Sequence, residues 1–528
     1  MMKNSIAALL LAGVCALPLV ATSASAEVVY NRGNSADPET LDQHKTQTVY
    51  ESHILRDLYE GLLAYSADGK CVAGVAKSWD VSEDGLVYTF HFRDDAKWSN
   101  GDPVVAGDFV YSLRRIEDPE TAAQYSTIMY PIMNAEKVNK GELPKEELGV
   151  KAIDDATLEI TLNAPTPYFL GQLCHQSALP VHPASVEKYG EDFSKPGNMV
   201  SNGAFTLAEF VPNSHVKAVK NPMFHDAADV KIDAVMYYPT EDRGAALRRF
   251  QAGELDSNND APVEQVDFMR ENLGDQFRVA PYLGTYYYAV NTTEDKLADP
   301  KIRRALSMAI DREFIADDIW GGTMLPGYSL VPPGIGNYGE PAYADFKDMD
   351  QFDREDAAKA ILEEAGYSED KPLEVEIRYN TSENHKNTAV AIADMWKQIG
   401  VKTTLLNTDT KTHYANLREH APFDFARAGW IGDYSDPQNF LMLVESDSGF
   451  NYAQWKNADY DALMDKAAMT VDLDKRAEIL FNAEKIFMEN QPYLPLLYYS
   501  SLSLVSDKLH GWEDNLLNVH PSRWMSKD

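Results

Sequence analysis

The chain has 528 residues, 82 acidic against 48 basic, and a formal net charge of −34. So acidic a surface repels phosphate backbones and anionic lipid, which sets nucleic acid and membrane surfaces aside as partners. Three cysteines do not staple a chain of this size, which buries enough apolar surface to hold without them.

Residues 1–26 read as a secretory signal peptide. Lys3 gives the positive start, IAALLLAGVCALPLV the apolar stretch, and Ala24-Ser25-Ala26 the small residues before cleavage. The apolar run is about 15 residues, short of the roughly 20 that a membrane span needs. Cys15 follows Val14 and not a small residue, which argues against a lipidated cysteine. An exported, soluble protein cleaved after Ala26 is expected. The rest of the chain is too long for one core and implies two or three domains. Cys71 and Cys174 remain after cleavage, and the sequence leaves open whether they bond or stay as two buried thiols.

Strand and helix signals then mix along the chain, with no internal repeat. After the turn-like SEDG at 82–85, residues 86–93 (LVYTFHFR) set Tyr88, Phe90 and Phe92 against Val87 and Thr89, a strand pattern. Residues 354–367 predict a helix stopped at Gly366. LEVEIRY (373–379) alternates as a strand. HKNTAVAIADMWKQIG (385–400) puts Ile392, Met395, Trp396 and Ile399 on one helical face, and VKTTLL (401–406) follows as a strand. Strand, helix and strand in so short a span make a βαβ unit, hence an α/β protein with parallel pairing.

No catalytic constellation emerges. GIGNYG (334–339) matches a dinucleotide-binding pattern, but prolines precede it where a strand is required and Pro341 follows where a helix should start. The histidines are scattered, and the pairs His44/His53 and His413/His420 lack ligand spacing. No metal, cofactor or enzyme activity is therefore expected, and the balance tilts to a binding protein. One stretch still asks for an explanation: ARAGWIGDYSDP (426–437). Ser435 or Asp436 ahead of Pro437 reads as a helix start. Asp433 has no such duty and is left as a turn residue or a ligand group.

Five blocks taken together resemble one family. They are SADPETLDQHKTQTVYESHILRDLYEGLLAY (35–65), AKSWDVSEDGLVYTFHFRDDAKWSNGDPVVAGDFVYSLRRIEDP (76–119), SNGAFTLAEF (201–210), DPKIRRALSMAIDREFI (299–315) and ARAGWIGDYSDPQNFL (426–441). In order and extent they are similar to the periplasmic oligopeptide-binding proteins, the receptors of peptide ABC importers. The resemblance implies an α/β fold of the type II periplasmic-binding kind: two lobes closing on a cleft, plus an extra domain. Lobe one would comprise 27–59, 200–283 and 501–528, the extra domain 60–199, and lobe two 284–500. It also implies a periplasmic monomer that captures short peptides and delivers them to an inner-membrane ABC permease.

The same resemblance implies a site. Asp433 would take the peptide's amine. Gly429, Trp430 and Ile431 would pair with its backbone, and Gln47 and Val49 would face it from lobe one. Tyr125, Tyr287 and Tyr499 would line the cleft, and His385 and Arg418 would offer cations to the carboxylate. Gly284 and Ile431 stand where some relatives carry two cysteines, and Thr410 where the family has a pocket tryptophan. Relatives that bind cell-wall peptides, sugars, opines, haem or nickel complexes give the same fold other ligands. A secreted peptide hydrolase and a chaperone-like protein are the readings from other classes.

Overall fold

Ten strands form one continuous mixed sheet, and its order places the site. From one edge they run Val401–Thr408, Leu373–Asn380, Phe425–Ile431, Phe277–Val290, Tyr493–Val505, Ser257–Asn258, Val29–Gly33, Ala234–Tyr238, His215–Lys220 and Phe205–Val211, with the short Leu325–Pro326 strand paired off this path. This computed structural model describes residues 27–528 apart from Gln47, Gln124 and the side chains of Thr410 and Lys411. The expected signal peptide, Gln47 and the Thr410 side chain therefore lie outside what is described.

The predicted βαβ unit is present. Leu373–Asn380 and Val401–Thr408 pair in parallel and are joined by the helix Glu383–Gln398. Ile392 and Trp396 are buried beneath that helix, and the Trp396 indole donates to the Leu306 carbonyl at 2.9 Å. The preceding helix spans Gln351–Glu364 and ends at Gly366, whose φ of +85° suits a residue without a β-carbon. The predicted strand at 86–93 is Val87–Phe92, in a separate four-stranded antiparallel sheet that buries Tyr88, Phe90 and Phe92. The GIGNYG segment is a loop, tied down by the buried carboxylate of Glu484, which accepts from the Val331 and Ala342 amides and the Tyr338 hydroxyl.

Hydrophobic cores follow the sheet order. One gathers residues from Leu283 to Leu497; another gathers Tyr30 to Tyr237 with Val505 to Met525; a small third one, around Leu247 and Met269, includes Phe277 and Leu504. Two long strands, Phe277–Val290 and Tyr493–Val505, cross between these regions as an antiparallel pair. Their register shifts between Pro281 and Thr285. That irregularity lies where the chain passes from one core to the next.

Cys71 and Cys174 form a disulfide, closing the alternative of two free thiols. It ties the hairpin strand Cys71–Ala73 to the residue just ahead of His175.

Candidate ligand-binding site

A cavity of about 440 Å³ opens where the two long strands cross. Its walls come from distant parts of the chain: the helix Val49–Leu58, Tyr125, His175, Tyr282 beside the register shift, the end of strand Phe425–Ile431, and Ser500–Leu502. A capping box starts the first helix, with the Glu51 carboxylate accepting the Thr48 amide at 3.2 Å. That leaves Val49, 58% exposed, at the cavity mouth.

Asp433 and Ile431 line this cavity together with Val49 and Tyr125. The Tyr125 hydroxyl donates to Asp433 Oδ1 at 3.2 Å, and the Tyr125 ring stacks on His175 with centroids 5.2 Å apart. Burial pushes the Asp433 carboxyl up to about 6, and the Tyr125 hydrogen bond opposes part of that shift. Among the described residues no cation stands within 4 Å of this carboxylate. Asp436 is differently placed. Its carboxylate accepts the Gln438 amide at 2.9 Å and pairs with both Arg476 Nη atoms at 2.8 Å. The short helix Gln438–Leu441 follows at once. So Asp436 is structural and Asp433 is left open to the cavity.

Asn439 was not singled out from sequence, yet it organises the segment. Its Oδ1 accepts both the Trp430 indole N–H at 2.9 Å and the Asp433 amide at 3.2 Å. Trp430 is half-buried and meets Phe450 edge-on with centroids 4.9 Å apart. Gly429 is required by its neighbour: a β-carbon there would sit 2.5 Å from the Tyr499 hydroxyl. Gly284 and Ile431 are direct cross-strand partners, and a β-carbon at Gly284 would meet Ile431 Cδ1 at 2.5 Å.

A cation that sequence reasoning passed over, Arg427, lies behind the cavity on the strand whose Ile431 lines it. It is 7% exposed, on the same strand face as Gly429 and Ile431. Arg427 Nη2 donates to the Tyr499 hydroxyl at 2.8 Å, and Nη1 to the Tyr414 hydroxyl at 2.9 Å and to Asn380 Oδ1 at 3.2 Å. Its guanidinium lies 4.7 Å from the centroid of the Tyr286 ring. All of these partners are neutral, and no carboxylate pairs with it among the described residues. A signal for it existed in the sequence, since Arg427 alternates with Gly429 two residues before the predicted peptide-pairing strand.

Three expected residues are placed otherwise. His385 is 8% exposed, packed between Tyr286 and Trp320 with Nδ1 3.3 Å from the Tyr286 hydroxyl. Burial, then the Arg427 charge, lowers its pKa to about 3, so it offers no cation at neutral pH. Tyr287 is 1% exposed on the opposite sheet face and stacks on Tyr493 with centroids 4.5 Å apart. It is Tyr286 that turns toward Arg427. Arg418 ends the helix Thr410–Arg418 with its side chain in solvent, outside the cavity.

Two halves sharing crossing strands around a polar, charged cavity define a ligand-binding protein of the type II periplasmic-binding fold. Residues 70–452 match the family described as bacterial extracellular solute-binding proteins, family 5 Middle. The chain belongs to the bacterial extracellular solute-binding proteins of family 5. It is 38% identical to the periplasmic oligopeptide-binding protein OppA of Escherichia coli, over 93% of this chain and 91% of that one. It is 36% identical to the periplasmic murein peptide-binding protein MppA of Escherichia coli, over 91% and 89%. Among solved structures, the unliganded open form of the murein tripeptide-binding protein MppA matches with a TM-score of 0.86, 35% identity and coverage of 95% and 98%. Haemophilus influenzae OppA in complex with RPPGFSPFR matches with a TM-score of 0.78, 34% identity and coverage of 95% and 99%. These relatives are binding proteins. Among the described residues no helix is long and apolar enough to cross a membrane.

Proposed function

We propose that this protein is an exported receptor that captures short peptides by their free amino end and delivers them to an inner-membrane ABC importer. The observation that carries the reading is Asp433, a carboxylate set into the cavity with a tyrosine hydroxyl and no cation beside it. A buried carboxylate is costly without a counter-charge, and a peptide ammonium supplies one. The strand through Gly429 to Ile431 would lend its backbone to an extended peptide, an interaction indifferent to side chains. Arg427, held among the described residues by neutral groups, would receive the peptide's carboxylate as a two-pronged donor.

In this reading residues 27–59, 200–283 and 501–528 form one lobe, 284–500 the other, and 60–199 an added domain. The irregular pairing at Pro281–Thr285 acts as the hinge. A ligand touching both lobes favours the closed form, which the importer would recognise. The protein works as a monomer in the periplasm after removal of residues 1–26, and releases its peptide intact.

Native mass spectrometry of freshly purified protein tests the reading. A ladder of co-purified short peptides is expected. A single discrete non-peptide mass would overturn it.

A further inference from the structure

The cavity holds a second charge that the amine-binding reading does not use. Four charged side chains line it: Arg56, Arg243, Asp260 and Asp433. Arg243 and Asp260 neutralise each other at 3.1 Å. The two buried lining histidines, His53 and His175, are both pushed well toward the neutral form by burial. Arg56 and Asp433 are then left as one cation and one anion without ion-pair partners among the described residues.

Arg56 is poorly satisfied where it sits. It projects from the helix Val49–Leu58, half-buried, with its guanidinium 5.1 Å from the Tyr65 ring centroid. Its one hydrogen bond among the described residues is long, from Nη2 to Gln176 Oε1 at 3.4 Å, and that oxygen already accepts the Ser52 hydroxyl at 3.0 Å. Arg56 Nε is buried with no partner among the described residues. A guanidinium offers five donors in a fork that fits a carboxylate. Arg56 and Asp433 line the same cavity, together with Tyr65 and Tyr282.

We propose that Arg56 is a specificity residue that takes a carboxylate borne on one of the first two side chains of the bound peptide. The receptor would then favour peptides with an acidic residue beside the free amine. This rests on Asp433 as the amine anchor. The peptide's own carboxyl end is not the group meant, because Arg427 lies further back along the Phe425–Ile431 strand, away from Asp433.

The test is titration calorimetry with tetrapeptide twins, Glu-Ala-Ala-Ala against Gln-Ala-Ala-Ala and Ala-Glu-Ala-Ala against Ala-Gln-Ala-Ala, on native protein and on Arg56→Gln. One glutamate twin should bind native protein about tenfold more tightly than its glutamine counterpart. Arg56→Gln should erase that preference while leaving the glutamine twins unchanged, and their retained binding shows that the variant is folded. Equal affinities within both pairs on native protein would overturn the proposal whatever the variant does. So would a glutamate preference that survives Arg56→Gln. If amino-acetylated peptides bind as well as free ones, the Asp433 reading fails, and this proposal with it. If acetylation abolishes binding but the twins are equal, only the Arg56 proposal fails.

Discussion

Asp433 is a buried, cavity-lining carboxylate, and its proposed role as the amine anchor gives binding a pH signature. In the free protein burial holds its pKa at about 6. A bound ammonium stabilises the ionised form and lowers that value, so ligand affinity is full above about pH 6 and falls as pH drops through it. A free peptide amine loses its charge near pH 8, so affinity should peak between these limits. Asp433→Asn should cost at least about tenfold at pH 7 and remove the acid limb of the profile, measured by calorimetry from pH 5 to 8. An unchanged acid limb would take Asp433 out of the site. Arg427 is the complementary case. Arg427→Met removes a buried cation while keeping an apolar stem against Tyr286. It should weaken peptides with a free carboxyl end by about tenfold and leave amidated ones little changed. Equal losses for both would assign Arg427 to structure alone. His385 cannot stand in for it, since its ring is neutral and enclosed.

At the scale of elements, local periodicity is what the sequence displays well. The strand Leu373–Asn380 and the helix Glu383–Gln398 were legible because each carries its own apolar repeat, and Gly400 stops the helix just ahead of the strand Val401–Thr408. The run Tyr286, Tyr287 and Tyr288 shows where legibility ended. A strand sends neighbours to opposite faces, and which face meets the cleft is fixed by the pairing of Tyr286 with Gly429 and Tyr288 with Arg427. Nothing local reports that pairing, so the family match pointed to Tyr287, whereas the ring that packs on Arg427 is that of Tyr286. The helix Ala106–Glu117 carries a feature that no sequence pattern announces. Its last residue, Glu117, is buried with neither carboxylate oxygen partnered among the described residues, and burial raises its pKa to about 9. The folded form therefore holds a proton that the unfolded chain releases near pH 4.5, and stability falls as pH rises across that window. Glu117→Gln should stabilise the protein by on the order of 2 kcal/mol at pH 8 and by little at pH 5, read from urea midpoints at the two pH values. A gain equal at both would refute the buried-carboxyl account.

At the scale of the whole molecule, the strands Phe277–Val290 and Tyr493–Val505 cross between cores at a break in register, and the proposed function makes that break a hinge. Short peptides should draw the two halves together, seen as a fall in radius of gyration by small-angle X-ray scattering. A radius unchanged at saturating peptide would contradict hinge closure. The disulfide Cys71–Cys174 belongs to this scale too, because it spans 103 residues and its partners meet only after the chain has folded back.

By itself the sequence determined the α/β class, the βαβ unit, the helix start after Asp436 and, through the matching blocks, Asp433 as the anion to watch. These are properties of short segments, in which periodicity, caps and prolines act on their neighbours. The tertiary structure alone decided that Cys71 meets Cys174, that His385 is neutral, that Tyr286 packs on Arg427, and that Arg427 and Arg56 have no carboxylate partner among the described residues. Charge state and pairing depend on burial and on residues hundreds of positions away, and no local pattern carries that information.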